Sequence, residues 1–285
     1  MRQAGHPEMT TLAPEAADRL FSHLFTTLTD AKAPRLWSFV VTIFGDLAQR
    51  DDARISGALL GTLVGRIGAK PEALRVALHR LRKEGWIESH KTGRASAHGL
   101  TAWGRQQAAM ASTVIYGSAP PEQQAWLILH NPADRARQPN PADHPLTNTA
   151  SISLVQPTAP HAEAALSLPL TPSVGVPTWV QNQMCTDELL HACQDLEYRL
   201  TQVAAAKALL GQIPALERMV LRVLVVHSWR RVILKAPALP VYLLPSRWRG
   251  EACAALVREL LGEMPPMSLE HLAAETGTKS AVQHA

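Results

Sequence analysis

Pro71-Glu72-Ala73-Leu74-Arg75-Val76-Ala77-Leu78-His79-Arg80-Leu81-Arg82-Lys83-Glu84-Gly85-Trp86-Ile87-Glu88 is the stretch on which the reading of this chain turns. Leu74, Ala77, Leu78 and Leu81 fall at i, i+3, i+4 and i+7, one face of a helix. Arg75, His79, Arg82 and Lys83 fall largely on the other faces. A helix with an apolar underside and a basic outer side has the size and charge to enter a DNA major groove.

The flanks extend the pattern. Upstream, Ile55, Leu59, Leu60, Leu63, Val64 and Ile67 predict a helix closed by Gly68, and Ala69-Lys70-Pro71 forms the turn, with Pro71 suited to the first helical position. Before that, Leu36, Phe39, Val40, Ile43, Phe44 and Leu47 predict another helix after Pro34. Downstream, Gly85 ends the basic helix and Trp86 to His90 reads as a strand. Lys91-Thr92-Gly93-Arg94 reads as a hairpin turn, Ala95 to Leu100 as the returning strand, and Thr101 to Val114 as a helix that Thr101 caps. Three helices followed by a basic two-stranded ribbon are the order of a winged helix-turn-helix.

Candidate DNA contacts are therefore Lys70, Arg75, His79, Arg82 and Lys83, with Lys91 and Arg94 at the hairpin tip aimed at a minor groove or neighbouring phosphates. The plain alternative is an ordinary solvated face and a charged turn. Charge distribution favours DNA. Residues 34–110 hold twelve Lys and Arg against six Asp and Glu, a net +6, whereas the whole chain carries +4. Positive charge gathered in one module points to a polyanionic partner.

A length of 285 residues with 46% apolar content allows two or three small domains with full cores. No apolar run approaches the ~20 residues of a spanning helix. The first twenty residues carry acids and lack an apolar core, so a signal peptide is not expected and a soluble cytoplasmic protein is. Cys185, Cys193 and Cys253 are odd in number and lack Cys-x-x-Cys spacing, which argues against a disulfide framework or a zinc site, with His191 nearby or not. No catalytic motif appears: no nucleophile elbow, phosphate loop, dinucleotide fingerprint or His-Glu-x-x-His. We expect no enzyme, no metal and no cofactor.

Composition divides the chain into a leader (1–33) with a short helix from Pro14 to Leu28, a DNA-binding module (34–112), a central region (113–182) and a helical C-terminal domain (183–285). The central region holds nine prolines between residues 131 and 180, which excludes long helices. Trp126 to His130, Ser151 to Val155 and Leu166 to Leu170 read as short strands, either in a small mixed domain or along a flexible connector. Asp187 to Gly211 predicts one long helix, Pro214 to Leu234 a second and Gly250 to Gly262 a last. Trp229, Arg230, Arg231 and Trp248 combine aromatics and bases around a Pro-bounded loop. They read either as a pocket for an aromatic or anionic molecule or as staples holding that loop.

Four places carry a family resemblance: Thr42-Ile43-Phe44-Gly45-Asp46; Arg75 through Trp86; Gly93-Arg94 with Leu100-Thr101 and Gly104-Arg105; and Trp229-Arg230-Arg231 through Leu239-Pro240, Leu244-Pro245 and Trp248. Together they resemble the PaaX-type regulators, bacterial repressors of phenylacetate catabolism. The resemblance implies an α+β protein: a winged helix-turn-helix on a palindromic operator, a small ferredoxin-like central domain and a helical C-terminal domain. It further implies a homodimer released from double-stranded DNA by a CoA thioester such as phenylacetyl-CoA. The competing expectation is a winged helix that holds a protein rather than an operator.

Overall fold

The computed structural model describes residues 12–29, 34–92, 95–117, 124–133, 140, 143–156 and 165–277. Among them the chain is mixed α/β, with eleven α-helices and two small antiparallel sheets. Its residues gather into two compact units that do not follow chain order. The first holds Met1–Tyr116, Tyr198–Arg231 and Cys253–Ala285; the second holds Gly117–Glu197 and Val232–Ala252.

The first unit opens with α1 (Pro14–Thr29), whose Ala17, Leu24 and Leu28 are buried. In α2 (Leu36–Leu47) six consecutive residues, Phe39 to Phe44, are buried, more than a one-sided stripe supplies. A helix apolar around most of its circumference belongs inside a core. Then follow β1 (Ile55–Ser56), α3 (Gly57–Gly65), α4 (Pro71–Lys83), β2 (Ile87–Thr92), β3 (Ala95–Leu100) and α5 (Ala102–Ile115).

One expectation here is corrected. Ile55 is not helical but extended, paired with His98 in a sheet of order β1-β3-β2. Ser56 sets the boundary, because its hydroxyl accepts from the Leu59 amide and caps α3 one residue later. Gly68 and Gly85 both adopt φ +77, the left-handed conformation that ends α3's turn and α4 at small steric cost. The hairpin register runs from Ile87↔Leu100 to Thr92↔Ala95.

The second unit contains β4 (Ala125–His130), β5 (His144–Thr147), β6 (Ala150–Ser153), β7 (Ala165–Leu170) and α6 (Thr178–Met184). The strands form one sheet of order β5-β6-β4-β7, every neighbouring pair antiparallel. Ala125, Leu146, Ile152 and Val180 share a buried cluster with Leu239, Leu243 and Leu244 from the Pro-bounded loop. Among the described residues of this region, that sheet and helix are formed. Strand β5 and helix α6 had no signal of their own, because the prolines beside them mask both periods.

The predicted helix from Asp187 to Gly211 is two: α7 (Asp187–Ala204) and α8 (Lys207–Leu210). Nothing local marks the break, which falls in an alanine run. Contracted backbone bonds from Ala206 to Val203 and from Leu209 to Ala206 turn the chain so that Leu210 and Ile213 are both buried. Tertiary burial overrides propensity here. The remaining helices are α9 (Ala215–Ile233), α10 (Gly250–Glu263) and α11 (Leu269–Glu275).

Helix α9 is buried almost all round, and Glu217, Arg222, His227 and Arg230 find partners within the first unit. Arg222 donates from Nε and Nη2 to the two carboxylate oxygens of Asp46 on α2, both at 2.8 Å, and from Nη1 to the Met264 carbonyl at 2.8 Å. The Tyr116 hydroxyl donates to the same carboxylate at 2.8 Å. Glu217 pairs with Arg66 at 2.8 Å. His227 Nδ1 lies 3.0 Å from the Thr42 hydroxyl, with its ring edge-to-face on Phe39. Burial pushes the His227 pKa down to about 3, so the ring is neutral at ordinary pH.

Breaking a buried pair from one side strands the other charge, at about 3–5 kcal/mol, whereas an apolar pair of similar volume is often tolerated. Arg222→Met is accordingly expected to lower the urea unfolding midpoint steeply. Asp46→Leu combined with Arg222→Met recovers much of that loss. Unfolding curves of the two variants decide, and equal losses would refute a stranded carboxylate.

Candidate nucleic-acid interface

Helix α4 is presented by its own sequence. Pro71 sits in its first turn after Lys70, which is extended. Leu74, Ala77, Leu78 and Leu81 are buried against α2 and α3. That anchoring leaves Arg75, Val76, His79, Arg82 and Lys83 exposed, and Lys70 exposed at the helix entry.

The outward cations differ in how far they are held. Arg75 reaches Glu72 at 3.4 Å with both side chains mostly in water, a pairing worth well under ~1 kcal/mol and readily exchanged for a phosphate. Arg80 is diverted: its Nε donates to Glu84 at 2.7 Å and its guanidinium lies 4.4 Å over the Trp37 ring. Arg82 donates to the Ser89 hydroxyl at 3.3 Å, and Ser89 lies 2.7 Å from His98 Nδ1. A side-chain chain thus runs from the basic helix into both strands of the hairpin. His98 is buried; desolvation first and the Arg82 charge second lower its pKa to about 4.

The hairpin is braced at its base. The Trp86 ring packs edge-to-face on Trp103 at 5.0 Å, the Thr101 amide donates to the Trp86 carbonyl, and the Thr101 hydroxyl accepts from the Gly104 amide. Gly104 is required for this: a Cβ there would stand 2.2 Å from the Trp86 carbonyl oxygen. Arg54 donates to Glu88 at 2.9 Å across the sheet. Lys91 is exposed near the far end of β2, and Arg94 lies outside the described residues.

Of the sequence-predicted contacts, the structure thus gathers Arg75, His79, Arg82 and Lys83 on one exposed face. Sequence reasoning missed Val76, which is 70% exposed at the edge of that face. An apolar side chain there matches the thymine methyl group rather than a phosphate. It also missed Ser89 and His98. Period-two alternation along the strands was the only signal for them, and it says which face they take but not what they touch.

The residues singled out toward the C-terminus fall in both units. Trp229 is buried and donates its indole N–H to the Ile115 carbonyl at 2.9 Å. Arg230 donates from Nη1 to the Ser38 carbonyl and the Thr42 hydroxyl, and Arg231 is exposed. All three belong to the first unit; Trp248, in the second, packs over Gly250 beside the Leu239–Leu244 cluster. Cys185, Cys193 and Cys253 are buried. Among the described residues no cluster of His, Cys, Asp or Glu is placed to hold a metal ion, and no helix is long and apolar enough to cross a membrane.

Neutral His98 links stability to pH. The unfolded chain takes up this proton near 6.5 while the folded chain refuses it until about 4, so the folded state loses stability as pH falls across that window. His227 adds a contribution of the same sign that extends to about 3. The melting temperature is expected to fall on acidification from pH 7 to 5, and His98→Asn should flatten that slope. An unchanged slope in the variant would count against a buried neutral imidazole.

Comparison with known proteins follows the same two segments. Residues 35–104 match the family model described as PaaX-like protein, and residues 186–274 match that described as PaaX-like protein C-terminal domain. The Transcriptional repressor PaaX of Escherichia coli (strain K12) is 24% identical over 267 residues, spanning 81% of each chain. Among solved structures, the uncharacterized protein Rv0674 from Mycobacterium tuberculosis aligns over 90% of this chain and 97% of its own, at 17% identity and a TM-score of 0.43.

Proposed function

This chain belongs to the PaaX-like protein family, and we propose that it is a DNA-binding transcriptional regulator, a repressor relieved by an aryl-CoA effector. The observation that carries the reading is the outer face of α4, where Arg75, His79, Arg82 and Lys83 stand exposed on a helix anchored from below and followed by a braced hairpin.

Helices α2, α3 and α4 with the β2–β3 ribbon support a winged helix-turn-helix, in which α4 is the reading helix and the ribbon the wing. In the second unit β4 and β5 run parallel with β6 between them, the strand order of a split β-α-β arrangement, which supports the ferredoxin-like reading. Arg75 and Arg82 are the candidates for base edges, Lys70, Lys83 and Lys91 for phosphates. Desolvated guanidinium–guanine pairs supply specificity, and released counterions supply salt-dependent affinity. One α4 reads too few base pairs to select a genomic site, so a homodimer on a two-fold operator follows from the same logic.

Arg75→Ala and Arg82→Ala are each expected to weaken operator binding by roughly 1–3 kcal/mol without moving the melting temperature much. Lys83→Ala should weaken binding to all duplexes alike and lower the salt slope by about one. Gel shifts on fragments retained from genomic DNA test this. Retention that ignores both salt and the arginine variants would favour the competing reading, a winged helix docking on protein.

A further inference from the structure

Helix α4 and the hairpin are joined by side chains as well as by backbone. Arg82 Nη1 donates to the Ser89 hydroxyl on β2 at 3.3 Å, Ser89 Oγ lies 2.7 Å from His98 Nδ1 on β3, and His98 Nε2 lies 3.4 Å from Ser96 Oγ. The first member fixes the order of the protons along this chain. A guanidinium only donates, so the Ser89 oxygen accepts and its own hydrogen is left for His98. His98 Nδ1 therefore accepts, and the ring proton is on Nε2, toward Ser96. Burial keeps the imidazole neutral at ordinary pH, as this arrangement requires.

The far end of the chain is held by three elements. His98 is buried in β3 and stands opposite Ile55 of β1 and Ser89 of β2. Gly57 at the start of α3 packs so close that a Cβ there would stand 2.7 Å from Ser96 Oγ and 3.6 Å from His98 Nε2. The near end differs from the other arginines of α4. Arg75 and Arg80 meet carboxylates, those of Glu72 and Glu84. Arg82 meets a hydroxyl, and among the described residues it pairs with no acid. Glu88, next to Ser89 in the strand, takes the other face, where Arg54 holds it at 2.9 Å. A carboxylate would cancel the Arg82 charge and compete with DNA. A hydroxyl restrains the guanidinium while leaving its charge and its remaining N–H donors available.

We propose that Ser89 and His98 are positioning residues for Arg82: they hold its guanidinium at the junction of helix and ribbon before DNA arrives, so that operator selectivity depends on a histidine buried in the wing. The assignment rests on the regulator reading above. Selectivity is the property affected, because a base edge accepts one guanidinium geometry whereas phosphates accept many. Ordering a long side chain at the moment of binding costs roughly two- to tenfold in affinity, and a side chain ordered beforehand escapes that loss.

Fluorescence anisotropy of the full chain tests this, on a duplex that it retains from genomic DNA and on a shuffled duplex of the same composition. The ratio of the two dissociation constants is the readout. Ser89→Ala and His98→Leu are each expected to lower the preference roughly two- to tenfold, with affinity for the shuffled duplex unchanged. His98→Asn, whose amide oxygen falls near the Nδ1 position and accepts from Ser89, retains the wild-type preference. In an Arg82→Ala background, Ser89→Ala has no further effect. Melting curves confirm folded protein, and Ser89→Ala carries the test if His98→Leu does not fold. A preference unmoved by Ser89→Ala overturns the proposal. So does a loss of equal size with and without Arg82, which makes Ser89 a structural support of the wing. Failure of the regulator reading looks different: the wild-type chain itself shows no preference between duplexes, and the assignment falls with it.

Discussion

The buried pair between Asp46 and Arg222 is the constraint around which the first unit is built. Two charges 176 residues apart meet with two 2.8 Å bonds, and Arg222 uses its remaining donors on backbone carbonyls near the end of α10. Neither charge tolerates burial alone, so α2 and α9 adopt one relative position or lose both. The pair adds little net stability over an apolar contact. Its effect is to specify which helix lies against which, in a core where Val, Leu and Ile side chains would accept several arrangements.

From that pairing the rest of the unit follows. With α9 seated, Glu217 reaches Arg66 beyond α3, His227 meets Thr42 and Phe39, and the Trp229 indole closes on the end of α5. Helix α2 is then covered by α4 and α5 as well as α9. That explains why six of its residues in a row are buried where a surface helix would show a stripe. The basic helix is thereby held from beneath, and its outer face is free to be polar. At Gly45 the side chains of these helices leave a small gap, where a Cβ would meet nothing within 4 Å.

Much of this was legible beforehand, for identifiable reasons. The run from Leu74 to Lys83 declares its helix by period, its start by Pro71 and its end by Gly85, all within a few residues. The ribbon declares itself by alternation around a glycine. Ile55 reads as helical because an apolar residue next to a helical stripe looks like part of it, and only the pairing with His98 distinguishes them. The break after Ala204 was invisible because alanine favours continuing the helix. Strand β5 and helix α6 were hidden by prolines, which remove donors and blur both periodicities. Trp229 and Arg230 stood out by composition, but composition does not say that the indole faces a carbonyl or that the guanidinium donates to Ser38 and Thr42.

The sequence alone therefore determined the local elements and their amphipathic faces, since helix period, caps and turn residues act over one or two turns of chain. It also determined that positive charge would concentrate on the third helix and ribbon. Only the tertiary structure decided that α9 joins the N-terminal helices in one unit, that Asp46 pairs with Arg222 while Arg230 donates to Ser38 and Thr42, and that glycine at position 45 borders open space. Those outcomes depend on which surfaces fit together across nearly two hundred residues. Complementarity of shape and charge between distant segments leaves no periodic trace in either of them.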